Sequence, residues 1–327
     1  MAETDHGATP AVLMLGAGFL GAAITRALLE RGCPVTVLTR SEPSEHQQTL
    51  LAGAAVLVGD VSGTAPLAAA LVEADHVVFA LGSSSPIESD LDPAGDISAI
   101  VPPVIRLLEL LRLRPEVGVT FLSSGGAVYG DKRSRRIRET AVPDPVSSYG
   151  IIKLTCEKYL GMYADAHAIP VRILRIANAY GPGQPSGRGQ GLVARLIRSA
   201  AVGEQVPLYG PDESVRDFVY IDDVATSVAD LVCTPNPVPR VVNIGSGAGH
   251  SVTDVVRLVE EVTGQQIPTR VLCRRAFDVR SNVLDISRLH SVIHFRPVDL
   301  RTGIERTWKA LLELEAGPAP AGAAVIL

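Results

Sequence analysis

The 327-residue chain has no excess of positive charge, no paired-cysteine motif and no unbroken apolar run of membrane-spanning length. Its 30 Lys and Arg stand against 35 Asp and Glu, a net charge of -5, so the clustered cations that a nucleic-acid backbone rewards are not a global feature. Cys33, Cys156, Cys233 and Cys273 lie far apart with no CxxC pair, which argues against a zinc knuckle or disulfide framework and for the free thiols of a cytoplasmic protein. Met1 to Pro10 carries Glu3 and Asp5 in place of a basic n-region, and glycines interrupt the apolar stretch that follows; no secretory leader and no membrane span are expected. His290 and His294 have helical i,i+4 spacing but no third ligand nearby, so no metal site is expected. With 46% hydrophobic and 20% charged residues, the chain has the balance of an ordinary folded protein, one large domain or two intimately joined, working on small molecules.

What is present is an alternation of short apolar runs and helical periodicities. Ala11 to Leu15 reads as a strand running into Gly16-Ala17-Gly18-Phe19-Leu20-Gly21, after which Ala22 to Glu30 is helical up to Arg31-Gly32. In such a turn Gly16 allows the tight bend, Gly18 lets the backbone approach a pyrophosphate and Gly21 lets helix pack on strand, with the helix N-terminus facing the anion. A lone GxGxxG is weak evidence. Here further strands follow at Pro34 to Leu38, up to Gly59-Asp60 and at His76 to Leu81, with helical segments between them. The alternation predicts an α/β fold, a doubly wound parallel sheet of the Rossmann type. Beyond it, Val104 to Arg112 reads as a helix and Val119 to Leu122 as a buried strand. That strand runs into Ser123-Ser124-Gly125-Gly126-Ala127-Val128-Tyr129-Gly130, and Tyr149-Gly150-Ile151-Ile152-Lys153 follows.

A Tyr and a Lys four apart share one helix face, so the ammonium can sit beside the phenol. An ordinary phenol titrates near ~10, and proton transfer near neutrality asks for about 4 kcal/mol of extra stabilisation of the phenolate. A lysine together with an oxidised nicotinamide supplies such a field. Two more segments complete a set in one order: Leu174-Arg175-Ile176-Ala177-Asn178-Ala179-Tyr180-Gly181-Pro182-Gly183 and Arg216-Asp217-Phe218-Val219-Tyr220-Ile221-Asp222-Asp223. With GAGFLG, Asp60, SSGGAVYG and YGIIK, they resemble the extended short-chain dehydrogenase/reductases. The match is to the NAD-dependent epimerase/dehydratase group typified by UDP-glucose 4-epimerase, from Ala11 to Leu311.

The resemblance implies a dinucleotide-binding Rossmann domain over residues 10–177. A smaller lobe, mainly for the nucleotide sugar, covers residues 178–316 and sends segments back to the sheet; an Ala-, Pro- and Gly-rich tail over 317–327 is expected to be poorly ordered. By the same resemblance Tyr149 is the catalytic acid/base, and Lys153 holds the nicotinamide ribose and tunes the tyrosine. Other cofactor contacts fall on Gly16, Gly18, Phe19, Leu20 and Gly21, on Thr39 and Arg40, on Asp60 and Val61, and on Ala80, Leu81 and Gly82. Asn178, Arg216 and Arg275 match positions that hold the substrate diphosphate. Arg275 is placed by Arg274-Arg275-Ala276-Phe277-Asp278, which resembles the family's RxGD segment ahead of Asp285 and Ser287. A nucleotide-sugar substrate, a nicotinamide cofactor and a homodimer are implied, with no nucleic acid and no membrane.

The chain departs from the family pattern in two places. The catalytic serine or threonine, four residues before the tyrosine of VYG, is replaced by Gly125; Ser124 is the first candidate for its hydroxyl, with Ser123 and the serines of Ser83-Ser84-Ser85 behind it. Ser84, Ser124 and Gly125 are accordingly taken as substrate contacts. The end of the second strand carries Thr39-Arg40 where an NAD enzyme usually presents an acidic residue to the ribose hydroxyls, and a neutral residue followed by arginine tolerates a 2′-phosphate. NAD remains the expected cofactor, with NADP as the alternative. The family's dehydratases and decarboxylases place acidic residues just before the VYG valine; Gly126 and Ala127 stand there and cannot move a proton.

The expected activity is therefore an NDP-sugar 4-epimerase acting through a 4-keto sugar. An NAD(P)H-dependent 4-ketosugar reductase is the closest alternative and a catalytically silent nucleotide sensor a more distant one. Lys132 to Arg138 holds five cations in seven residues and reads as a solvated loop, with an acidic substrate or partner as the sharper alternative.

Overall fold

The computed structural model describes residues 9–82, 86–132, 136–185, 191–210, 214–273 and 279–316. The predicted serines Ser83 to Ser85, part of the basic loop, the segment carrying Arg275 and the tail from residue 317 lie outside the described residues.

The first half alternates strand and helix as its periodicity predicts: β1 (Val12–Leu15), α1 (Phe19–Leu29), β2 (Val35–Thr39), α2 (Glu45–Leu50), β3 (Ala55–Val58), α3 (Thr64–Leu71), β4 (His76–Phe79), α4 (Pro86–Leu91), α5 (Pro93–Leu111), β5 (Gly118–Ser124), the short α6 (Gly125–Val128), α7 (Ser148–His167) and β6 (Val171–Ile176). The strand ends shift by one or two residues from the sequence expectation, and two helix starts differ by more. Helix α1 begins at Phe19 instead of Ala22, its first turn being part of the glycine motif itself. Helix α5 begins at Pro93 instead of Val104, because Asp92 caps it by accepting from the Gly95 N–H at 3.0 Å, and Pro102 and Pro103 are carried inside it.

β7 (Asn178–Tyr180), α8 (Leu192–Val202), β8 (Val206–Tyr209), β9 (Val215–Tyr220), α9 (Ile221–Cys233), β10 (Val241–Ile244), β11 (Gly249–Ser251), α10 (Val252–Thr263), β12 (Thr269–Leu272), β13 (Ser281–Asn282), α11 (Ser287–His290) and α12 (Leu300–Ala316) follow. Strand β10 pairs parallel with β6, so the chain re-enters the large sheet after residue 178. That sheet has seven parallel strands in the order β10-β6-β5-β4-β1-β2-β3. After β1 the chain winds one way through β2 and β3, then returns to β4 on the other side of β1. The crevice beyond the carboxyl ends of β1 and β4 is the topological switch point where such sheets bind ligands.

Both faces of the inner strands β1, β4, β5 and β6 are largely buried, which is why they read as continuous apolar runs, whereas the edge strand β3 is exposed. In β1 the period-two alternation sends Val12 and Met14 to the side of Ile24 and Leu28 of α1 and Val224 and Val228 of α9. Leu13 and Leu15 go to the side of Val104, Leu107 and Leu108 of α5 and Ile152 and Leu160 of α7. A third cluster, including Tyr180, Leu196, Ile197, Phe218, Val259 and Ile304, forms the core of the smaller lobe, whose short strands pair as β11-β9-β13 with β7 on β9, and β8 with β12.

The four cysteines are thiols, but distance along the chain misleads for two of them. Cys33 and Cys233 meet with their Sγ atoms 3.3 Å apart, and burial pushes the Cys33 thiol up to about 12. His290 and His294 are both exposed, and no cluster of three or more metal-binding side chains occurs among the described residues. No helix among them is long and apolar enough to cross a membrane.

Candidate active site

A cavity of about 590 Å³ lies where the large sheet's switch point faces the smaller lobe. Gly18, Phe19, Leu20, Ala80, Leu81 and Gly82 line it from the ends of β1 and β4, and Leu122 to Ser124, Tyr149 and Lys153 from β5 and α7. Asn178, Arg195, Tyr209, Arg216 and Phe218 face it from the smaller lobe. Among the described residues its charged lining is three cations, Lys153, Arg195 and Arg216, and one anion, Glu88, a balance suited to a diphosphate.

The glycine turn has the shape of a cradle for a pyrophosphate. Gly16 has φ of +101°, and a β-carbon on Gly21 would lie 2.1 Å from the Gly16 carbonyl oxygen, so only glycine lets α1 start this close to the turn. Nothing lies within 4 Å of where a β-carbon of Gly18 would be. No side chain caps α1, so its first N–H groups are left for an anion beside Gly18. These features fit the dinucleotide expected from the sequence.

Tyr149 is set by the packing of the first turn of α7. Ser147 caps the helix by accepting from the Gly150 N–H at 3.2 Å, Asp90 of α4 accepts from the Ser148 N–H at 2.8 Å, and a β-carbon on Gly150 would lie 2.8 Å from the Ala127 carbonyl oxygen. Tyr149 is half-buried at the cavity wall. One turn on, Lys153 is buried, its Nζ donating to the Leu122 carbonyl at 3.1 Å and lying 5.7 Å from the Tyr149 ring centroid. The spacing seen in the sequence thus brings both groups to one wall.

The serines separate. Ser123 is buried and its hydroxyl donates to the Glu157 carboxylate at 2.5 Å, whereas Ser124 is half-buried on the cavity wall. Gly125 is not part of the lining. A β-carbon there would lie 2.6 Å from Leu284 Cδ1 and 3.0 Å from the Arg175 carbonyl oxygen, and the Gly125 carbonyl accepts from Asn282 Nδ2 at 2.9 Å. The direction a side chain would take is filled by Leu284. Asn178 donates through Nδ2 to the Asp217 carbonyl at 2.9 Å. Its Oδ1 lies 3.6 Å, and the Ser124 hydroxyl 3.8 Å, from the point a Gly126 β-carbon would take.

Thr39, Arg40, Asp60 and Val61 do not line this cavity. Thr39 donates to the Ser41 carbonyl at 3.3 Å and Arg40 is exposed. The Asp60 carboxylate is held below its usual range by the hydroxyl and N–H of Ser62, which donate to it at 2.5 and 2.9 Å. Sequence reasoning missed Glu88, Arg195, Tyr209 and Phe218. Glu88, Arg195 and Tyr209 sit in segments with no local motif, and only packing brings them to the cavity; Phe218 lies within the Arg216–Asp223 motif but was not singled out there. It also missed Asp217, fully buried within the motif that contains Arg216. Its carboxylate accepts from Ser246, Gly247 and Leu284 N–H groups, and burial nonetheless raises its pKa. Of the basic loop, Arg138 reaches Asp285 at 3.3 Å.

The sequence profile of the NAD dependent epimerase/dehydratase family matches residues 12–245. A UDP-glucose 4-epimerase of Azospirillum brasilense is 31% identical, with 97% of each chain covered. Two crystal structures superpose with a TM-score of 0.85: a Thermus thermophilus UDP-glucose 4-epimerase in complex with NAD, 30% identical, covering 92% of this chain and 99% of that one, and a Thermotoga maritima UDP-glucose 4-epimerase with UDP-glucose, 29% identical, covering 92% and 98%.

Proposed function

This chain belongs to the NAD dependent epimerase/dehydratase family, and from that premise we propose that it is a nucleotide-sugar 4-epimerase, with a UDP-hexose as substrate and NAD as cofactor. The observation that carries the proposal is one continuous cavity with the uncapped glycine turn and the Tyr149–Lys153 pair on its sheet side, and Arg195 and Arg216 on its lobe side. That order matches the parts of the substrate complex: dinucleotide, sugar, then diphosphate.

Tyr149 takes the proton from the C4 hydroxyl as the sugar is oxidised to its 4-keto form, and returns it when the hydroxyl is remade. Lys153, anchored on the Leu122 carbonyl, places its positive charge beside the phenolate that this requires. Ser124 donates a hydrogen bond to the reacting oxygen, the hydroxyl of Ser123 being engaged elsewhere. Arg216 and Asn178 hold the diphosphate while the 4-keto sugar turns about it to present its other face. Bound NAD supplies reversible hydride acceptance at C4; the residues of the chain supply position and proton management. Gly126 and Ala127 offer no second acid/base, which speaks against dehydration and decarboxylation.

One observation favours the alternative of an NAD(P)H-dependent 4-ketosugar reductase: Thr39 and the exposed Arg40 at the end of β2 tolerate a 2′-phosphate. A single incubation separates the two. Purified protein carrying only its bound cofactor should convert UDP-glucose to UDP-galactose, retain deuterium placed at C4 and accumulate no net change in nicotinamide absorbance. Stoichiometric oxidation of added NAD(P)H by a 4-keto sugar, without hexose interconversion, would assign the reductase. The proposal includes a cytoplasmic homodimer; exposed Ile97 on α5 and exposed Ile151 and Met162 on α7, helices that pack together, support association on that side.

A further inference from the structure

Among the described residues, one ion pair is taken almost wholly out of water. Glu157 of α7 and Arg175 of β6 have side chains only 4% and 6% exposed, joined at 2.6 Å between Glu157 Oε2 and Arg175 Nη2, with Arg175 Nε at 3.0 and 3.2 Å from the two carboxylate oxygens. A pair buried this deeply adds little stability over well-packed apolar residues of similar volume, since desolvation offsets the attraction. Its place suggests what it does instead. Glu157 lies one helical turn beyond Lys153, and the two side chains grip successive residues of β5, Lys153 at the Leu122 carbonyl and Glu157 at the Ser123 hydroxyl. Arg175 stacks 4.7 Å over the ring of Tyr129, whose hydroxyl donates to Asn243 at 2.7 Å. The strand end and the turn after it are thereby held from beneath on both sides of Ser124.

We propose that Glu157, paired with Arg175, is a positioning residue: through its bond to Ser123 it fixes the end of β5 so that Ser124 stands at the wall of the cavity that Tyr149 also lines. The inference rests on the roles given above to Tyr149 and Ser124. A displacement of about 1 Å in such a group can lower a rate by ~100-fold, so one buried hydrogen bond is enough to matter.

Two double variants test it, because each removes both charges and leaves neither uncompensated. Glu157→Gln with Arg175→Met keeps an amide oxygen to accept from Ser123; Glu157→Leu with Arg175→Met keeps none. Hydrogen exchange at the amides of Ser124 to Ala127 is expected to be faster in the Leu variant than in the Gln variant. The Leu variant should also show a kcat at least ~10-fold below that of the Gln variant at similar KM. Equal exchange and equal kcat in the two would reduce the pair to packing and overturn the proposal. If either double variant fails to fold, Ser123→Ala decides, with faster exchange at the same amides and a lower kcat expected, and neither effect overturning it. A wild-type protein that does not interconvert UDP-hexoses would remove the epimerase assignment, while the exchange comparison would still decide whether Glu157 holds the strand end.

Discussion

Restoring a serine at position 125, where the family carries its hydroxyl, should harm this protein. The β-carbon of Gly125→Ser would stand 2.6 Å from Leu284 Cδ1, 3.2 Å from Cδ2 and 3.0 Å from the Arg175 carbonyl oxygen. Leu284 is fully buried and its N–H is tied to Asp217 Oδ2 at 3.2 Å, so it has little room to retreat. Overpacking of this kind costs about 1–3 kcal/mol, and the helical position of Gly125 returns at most ~0.5 kcal/mol through propensity. We expect urea unfolding to show a net loss of roughly 2 kcal/mol, and kcat to fall. Leu284→Ala alone should cost about 2–5 kcal/mol by opening a cavity. Combined, each change relieves the other, the new side chain entering the space that leucine leaves, so the double variant should be at least ~1 kcal/mol more stable than additivity gives. A Gly125→Ser protein within ~0.5 kcal/mol of wild type, or additivity of the two changes within that margin, would refute the claim that Leu284 fills the missing side chain's place.

Tyr149→Phe should lower kcat by at least ~100-fold with the unfolding midpoint unchanged, and near-normal turnover would remove Tyr149 from proton transfer. Ser124→Ala should lower kcat by ~100-fold and Ser123→Ala by less, since the Ser123 hydroxyl is committed to Glu157; steady-state kinetics giving the reverse order would exchange their roles. Thr39→Asp should raise the NAD to NADP affinity ratio, a carboxylate accepting from ribose hydroxyls and repelling a 2′-phosphate; an unchanged ratio in a binding titration would show that the end of β2 does not read the ribose. His76 is buried against Thr120, its ring nitrogen 2.8 Å from the hydroxyl, and burial, aided by Arg172, lowers its pKa from 6.5 to about 3. The unfolded chain therefore binds the proton first, so stability complete above pH 6.5 should fall by up to ~1.4 kcal/mol per pH unit as pH drops towards about 3. His76→Gln should flatten that slope in urea titrations, and an unaltered slope would assign the acid sensitivity to other groups.

The large sheet could be read from the chain because each of its early elements announces itself locally. β1 is apolar on both faces, the glycine turn names the start of α1, and Gly32 at φ of +75° marks its end. The smaller lobe carried no such signal. Its strands β7, β11 and β13 have three, three and two residues, too short for any period to show, and they pair across large stretches of chain. The start of α5 was missed for a different reason: the Asp92-Pro93 cap precedes a stretch with glycine and two internal prolines, so local propensity and the tertiary packing of its apolar face disagree, and packing prevails.

The reacting groups and the groups that place them differ in the same way. Tyr149 and Lys153 are joined by helix geometry alone, so their spacing suffices to bring them to one wall. In sequence Ser124 ranks ahead of Ser123 only by its nearness to Gly125; what separates them physically is a carboxylate on another element, and the pairing of that carboxylate with Arg175 has no local signature. Position 125 sharpens the point. The sequence shows a hydroxyl missing there and turns the search to the neighbouring serines. The structure shows the volume already taken by Leu284 from a distant segment, with the neighbouring serine on the cavity wall instead. A departure from a family pattern is thus a statement about a missing side chain only until the space it would occupy is known. Here that space is filled, so Gly125 and Leu284 have to be altered together before the effect of a serine at position 125 can be read.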